Sequence, residues 1–124
     1  MATIKSYTDI EQSKVLAEIL PLDSADYFYK YCVGHYNSIY YRPEMYPYNK
    51  GGNKNHDIPC WSLAALLDIL PLEVSFNRQT DGVDTYYYIA SCDARYCDVY
   101  THRHINVVDA CYEMVTILKE RNLI

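Results

Sequence analysis

Between residues 58 and 122 the chain sets out one short apolar segment, three β-rich runs and one long amphipathic stretch, with few residues between neighbours. No other feature restricts the fold as much. Runs joined by a few residues can pair only as antiparallel hairpins, because a parallel pair needs a crossover of a dozen residues or more. The apolar segment, residues 58–71, carries Pro59 near its start and Pro71 at its end and reads as a helix over 60–70. Strands follow at 73–78, with Val74 and Phe76 on one face, at 83–91 and at 96–102. Thr80-Asp81-Gly82 supplies the first turn and Asp93-Ala94-Arg95 the second. Asn106 is placed to cap a closing helix over 107–121, with Asp109 favourable to its N-terminal dipole. Val107, Cys111, Met114, Val115 and Leu118 line its apolar face. The expected class is α+β: a three-stranded antiparallel meander with helices packed on one face.

The first half is less regular. Thr8 with Glu11 has the spacing of a capping box for a helix starting near Asp9. Val15, Leu16, Ile19 and Leu20 form its stripe, and Pro21 stops it. Asp23 or Ser24 would cap a second short helix through Tyr27, Phe28 and Tyr31, although Tyr27, Tyr29 and Tyr31 also alternate as a strand would. Residues 1–31 are therefore taken as a helical section added to an αβββα core at 58–124. Between them, Pro43, Pro47 and Gly51-Gly52-Asn53 interrupt every period, so 32–57 reads as a tyrosine-rich loop, packed near 36–48 and flexible at the 51–55 tip. Ile19–Asp23 and Ile69–Glu73 repeat one pattern, which two helices with the same stop signal explain.

The chain of 124 residues, half hydrophobic, has apolar material for one domain. Its net charge of −5 argues against a general binder of nucleic acid or anionic membrane, which needs a basic field. No run has the apolar length of a membrane span, and the first residues lack the core of a signal peptide, so a cytoplasmic location is expected. Five cysteines, an odd number set in apolar patterns, fit free buried thiols better than a disulfide framework. Tyrosine is the anomaly, with 15 residues against two phenylalanines and one tryptophan. A tyrosine buries a large ring while keeping a polar tip, which suits half-buried contact surfaces.

Blocks of the chain are similar to those of a known group. Tyr7-Thr8-Asp9-Ile10-Glu11-Gln12-Ser13-Lys14, Leu22-Asp23-Ser24-Ala25-Asp26, Ile58-Pro59-Cys60-Trp61-Ser62-Leu63 and Asn106-Val107-Val108-Asp109-Ala110 resemble the recurring blocks of a family of small uncharacterised proteins from gut Bacteroidales bacteria and their phages or mobile elements. The resemblance spans both ends and the centre, leaving out the tyrosine-rich loop and the hairpin. Members often carry Pro where Val107 stands. The family has no known activity, so the resemblance implies a mobile-element context and assigns no residue a role.

Several groups of residues carry potential chemistry. Cys60, beside Trp61 at an expected helix start, with His102 or His104 on a later strand, has the outline of a small cysteine hydrolase. A buried cysteine opening a core helix accounts for it better, since no glycine-rich oxyanion context accompanies it. Cys92, Cys97, His102 and His104 match no common zinc spacing, and strand alternation sets Cys97 and His102 on opposite faces. The helix–strand–strand–strand–helix order is shared with double-stranded RNA-binding domains, but Asn106-Val107-Val108-Asp109 lacks the basic residues those use. No catalytic residue, metal or cofactor is expected.

Surface chemistry is more informative. Were Cys92 to face Cys97, Ala90 and Val99 would join them beneath the helices, and Tyr87, Ile89, Tyr100 and His102 would share the opposite, uncovered face. Between Lys30 and His56 the cations Lys30, Arg42, Lys50 and Lys54 outnumber the single carboxylate of Glu44, among Tyr36, Tyr40, Tyr41, Tyr46 and Tyr48. The expected function is a non-enzymatic binding or adaptor protein of a phage or mobile element. The expected contact residues are Tyr87, Ile89, Tyr100, His102, Tyr40, Tyr41, Arg42, Tyr46 and Tyr48, with a protein partner, such as a second copy in a homodimer. A nucleic-acid accessory protein is the first alternative, because tyrosines among cations can stack on bases.

Overall fold

The computed structural model describes residues 5–91 and 99–124. They show an α+β fold of helices and two antiparallel sheets. By contact density the chain gathers into two compact units, Tyr7–Ala65 and Leu66–Ile124 with Met1–Ser6.

In the Tyr7–Ala65 unit, α1 (Ile10–Ile19) opens with Asp9 as its cap: the carboxylate accepts the Gln12 N–H and the Gln12 side chain accepts the Asp9 N–H. The capping box thus sits one residue later than the Thr8/Glu11 spacing suggested. Thr8 is diverted because its buried hydroxyl lies 2.8 Å from Ser13 Oγ and accepts the Trp61 N–H. The expected second helix is instead a strand. β1 (Tyr27–Val33) is central in a sheet of order β2-β1-β3, with β2 (Ile39–Glu44) and β3 (Ile58–Cys60) at its edges. The tyrosine alternation therefore reported a real two-residue period.

The tyrosine-rich stretch is not a loop throughout. It holds the β1–β2 hairpin and the short helix α2 (Tyr48–Gly51), where Tyr48 is buried and its N–H bonds to Ala25 O. Pro43 is tolerated because β2 is an edge. Residues 53–57 form a tied turn: Asp57 Oδ2 accepts the Asn53 N–H, and its Oδ1 reaches across to the Tyr31 N–H, each at 2.8 Å.

The 60–70 helix is shorter than expected. Ile58-Pro59-Cys60 pairs with β1, and α3 (Leu63–Ile69) begins only after Ser62. Ser62 Oγ accepts the Ala65 N–H and is itself held by Asp26, which also takes the Ser62 N–H at 2.9 Å. A capping serine and a strand-competent Ile-Pro-Cys thus moved the helix start by three residues.

In the second unit, β4 (Val74–Thr80) and β5 (Thr85–Ser91) form an antiparallel hairpin around Asp81 and Gly82, whose φ of 92° suits glycine. Residues 99–104 run antiparallel along the other side of β5, through bridges Ala90–Tyr100 and Tyr87–His104. The turn around Ala94, with Cys92 and Cys97, lies outside the described residues. α4 (Val107–Glu120) lies against β5 and buries Val108, Ala110, Cys111, Met114, Val115 and Leu118. Asn106 occupies the cap position without a side-chain cap bond. Lys5 Nζ instead approaches Asp109 in the first turn at 2.6 Å.

Candidate functional site

The β1–β2 hairpin outruns its neighbour β3, which pairs only with Tyr27, Phe28 and Tyr29. Beyond that point the hairpin is a two-stranded arm carrying Val33, Ile39 and Tyr40 exposed. Cross-strand partners share a face, so Tyr31, Val33, Ile39 and Tyr41 lie on one side, and Lys30, Cys32, Tyr40 and Arg42 on the other. On the first side the Tyr31 ring meets Tyr41 edge-on at 5.9 Å and stacks with His56 at 5.0 Å. On the second, Lys30 is the register partner of Arg42, whose guanidinium pairs with Glu44 at 2.8 Å.

The tip is unusual. Tyr36 has φ 57° and ψ 32°, and Asn37 follows at φ 59°. Asparagine visits this left-handed region readily; a bulky residue there is a true outlier. The Tyr36 side chain is wholly exposed. The tip is closed by the Gly34 N–H bonding to Ser38 O at 2.6 Å, so the backbone and not the Tyr36 ring holds the turn.

Of the residues expected to make contacts, Tyr40, Arg42 and Tyr46 are exposed and Tyr41 is half-buried against Tyr31, whereas Tyr48 belongs to the core. The set on the second sheet is divided. Ala90 lies opposite Tyr100, not Val99, so the register differs by one residue from that of a Cys92–Cys97 pair. A one-residue slip exchanges faces. Ile89, 1 % exposed, therefore joins Val99 and Thr101 in the core row, with Tyr87 two residues along on the same face. Tyr100 remains outside at 66 %. Burying Ile89 with Val99 removes more apolar surface than burying Ala90 would, which gives the physical reason for the register.

His102 leaves the expected face through a bulge. Thr101 bonds to Ile89, but two residues back on β5 Tyr87 exchanges both backbone bonds with His104, three residues on. The extra residue frees the His102 N–H, which donates to Glu113 Oε1 on α4. His102 Nδ1 lies 2.8 Å from Glu113 Oε2, and His104 Nε2 lies 3.3 Å from Oε1. The hydrogen bond with Glu113 and then its charge raise the His102 pKa above its ordinary value. Burial pushes the Glu113 carboxyl up, but the bonds from His102 and His104 outweigh it and hold it below its ordinary value. The clasp joins strand to helix; both carboxylate oxygens are occupied by this chain.

Cys60 is not at a helix start. It ends β3, fully buried, its thiol donating to Thr8 O at 3.4 Å. Burial raises its pKa more than bonds from Thr8, Ser13 and Tyr29 lower it, which is the opposite of what a nucleophile needs. Among the described residues no cluster of His, Cys, Asp or Glu has the arrangement of a metal site. An open depression of about 400 Å³ lies at the turn end of β4–β5, lined by Gln79, Thr80, Asp81, Tyr86 and Arg103. Asp81 is engaged there by the Val83 and Asp84 N–H groups, so it closes the turn. Among the described residues no helix is long and apolar enough to cross a membrane.

The sequence did not single out Val33, Ile39 or the Tyr31–His56 stack as surface. Alternation over 27–33 was the available signal for Val33, and Ile39 lies outside it. The stack follows from the Asp57 bond to Tyr31, which joins residues 26 apart and leaves no local trace. Compared with protein-family models, with curated proteins and with solved structures, the chain finds no match.

Proposed function

We propose that this chain is a non-enzymatic binding or adaptor protein of a phage or mobile element, and that it engages a protein partner through the tip and exposed apolar side of the β1–β2 arm. The observation that carries this is Tyr36: a bulky side chain kept in a left-handed conformation that costs about 1–2 kcal/mol while wholly exposed. Strain retained where the fold gains nothing from the ring is a mark of a contact residue. A tyrosine flanked by Val33 and Ile39 offers a rigid amphipathic anchor of the kind that dominates protein interfaces. The mobile-element setting is supported by the resemblance of the sequence blocks.

The test is site-specific photo-crosslinking in a host cell, with the reactive residue at position 36 and, as control, at Leu72, which is also wholly exposed. The expected result is a discrete adduct from position 36 that is absent from position 72 and lost when Val33 and Ile39 are both changed to Thr. Equal labelling from both positions, or an adduct indifferent to that change, overturns the proposal.

A second reading draws on the Lys30–Arg42 register pair with Tyr40 beside it on the other side of the arm. It would make the chain a nucleic-acid accessory protein stacking bases on tyrosine. Binding of a fluorescent single-stranded oligonucleotide that weakens steeply with salt and with Arg42→Glu would favour it. Salt-independent crosslinking at position 36 would not. A cysteine hydrolase gains no support from the burial of Cys60.

A further inference from the structure

The two sheets treat their open edges differently. The backbone groups of β5 at 87, 89 and 91 face residues 99–104, so those at 86, 88 and 90 face β4. The Asp81 N–H bond to Asp84 O fixes the same alternation on β4: residues 75, 77 and 79 pair with β5, while 74, 76, 78 and 80 point to the open side. No described strand pairs with that side. On β2 the Gly34–Ser38 bond likewise turns residues 39, 41 and 43 outward. There Pro43 removes a donor, and Arg42 and Glu44 place charges along the strand. Proline and charge are the usual means of keeping an edge from pairing. β4, Val-Ser-Phe-Asn-Arg-Gln-Thr, has neither proline nor acid, and Arg78 is its only charge.

The side-chain face of β4 is also incomplete. Phe76 lies opposite Ile89, the two on one face with Val99 and Thr101. Ile89, Val99 and Thr101 are buried, but Phe76 is 50 % exposed. The apolar face that α4 covers at β5 thus continues one strand further, where among the described residues Phe76 is left half-exposed.

We propose that β4 pairs antiparallel with β4 of a second copy about a two-fold axis at Asn77, joining the two β4–β5 hairpins into one continuous sheet. The edge is complementary to itself in this register. Val74 lies opposite Thr80 and Phe76 opposite Arg78 of the second copy, giving about eight backbone hydrogen bonds with no donor missing. The alternative that centres the axis on Arg78 opposes two like charges. Centring on Asn77 instead sets each guanidinium beside a phenyl ring, an attractive contact, and brings the two Phe76 rings to the seam between the two helices. The interface uses none of the residues of the β1–β2 arm and does not depend on the function proposed for it.

The purified chain tests this by light scattering across the micromolar range. The mass is expected to rise with concentration from one chain's 14.5 kDa toward twice that. Phe76→Lys, at a half-exposed position, is expected to hold the chain monomeric with unchanged circular dichroism. Arg78→Pro, which removes an outward donor and leaves the β5 ladder intact, provides a second monomeric variant should the first unfold. Mild oxidation reads the register. Asn77→Cys should form a disulfide dimer with itself; Ser75→Cys should do so only when mixed with Gln79→Cys. A wild type that stays monomeric, a dimer indifferent to Phe76→Lys and Arg78→Pro, or a self-linked Ser75→Cys without an Asn77→Cys dimer overturns the proposal.

Discussion

Glu113 on α4 takes both the backbone N–H and the ring Nδ1 of His102, so one side chain fastens a strand bulge to the helix beside it. The two partners shift in opposite directions: His102 titrates above its ordinary 6.5 and Glu113 below its ordinary 4.5.

The first prediction follows from those signs. A histidine with a raised folded pKa contributes stability that is complete below its unfolded value and is lost as pH rises through the folded one. A carboxylate with a lowered pKa contributes stability that is lost as pH falls through its folded value. The clasp is therefore fully formed between 4.5 and 6.5 and weakens above 6.5. Melting temperatures measured from about pH 5 to about pH 8.5 should fall more for the wild type than for Glu113→Gln. In an NMR titration the same substitution should move the His102 midpoint down toward 6.5. A midpoint indifferent to Glu113→Gln would show that the clasp is not formed in solution.

A second prediction separates folding from binding at the arm tip. Tyr36→Asn replaces a bulky residue at φ 57° by one that accepts the left-handed region. Because the Tyr36 ring is wholly exposed, the variant should be more stable than wild type by about 0.5–1 kcal/mol in urea. It should also lose the crosslink from the arm when the probe sits at Val33. A variant that destabilises the chain would mean that the ring packs on the fold.

These two sites differ in how far the sequence exposed them. The β4–β5 hairpin and α4 were legible because alternation, Asp81-Gly82 and the Val107–Leu118 stripe are local signals that agree. Residues 27–33 carried two periods at once, and pairing with both β2 and β3 decided for the strand. Ile58-Pro59-Cys60 was misread for the same reason: a short apolar run fits helix or buried strand equally, and only its partner Tyr27–Tyr29 settles it. The His102 clasp was invisible because it needs a bulge, which shifts one strand by a residue without any mark in composition.

The third prediction concerns the polar core of the Tyr7–Ala65 unit. Thr8 Oγ1 lies 2.8 Å from Ser13 Oγ and accepts the Trp61 N–H at 3.2 Å, and both Thr8 and Ser13 are buried. Thr8→Val keeps the shape, leaves the buried Trp61 N–H without its acceptor and takes one of two partners from Ser13, whose hydroxyl also bonds to Cys60, so it should cost about 1–3 kcal/mol. Adding Ser13→Ala removes the hydroxyl that lost a partner. The double variant should therefore be less destabilised than the sum of the single changes, with a coupling of at least about 0.5 kcal/mol. Simple additivity would show that the hydroxyls do not act on one another.

The last prediction concerns thiol reactivity. Cys60 and Cys111 are buried, and burial pushes Cys111 up to about 12, so almost none of it is thiolate at neutral pH. Cys60 is raised for the same cause, with Thr8, Ser13 and Tyr29 opposing it through hydrogen bonds. Cys32, on the β1–β2 arm, is half-exposed and donates to the Lys30 carbonyl at 3.5 Å. Iodoacetamide at mildly alkaline pH, followed by peptide mass mapping, should label Cys32 in the native chain. Cys60 and Cys111 should be labelled only after denaturation. At Cys60 and Cys111 burial lowers both access and thiolate fraction, so their protection does not depend on either alone. Native labelling of Cys60 ahead of Cys32 would require an accessible, ionised thiol at the end of β3, and would restore the nucleophile that its burial otherwise removes.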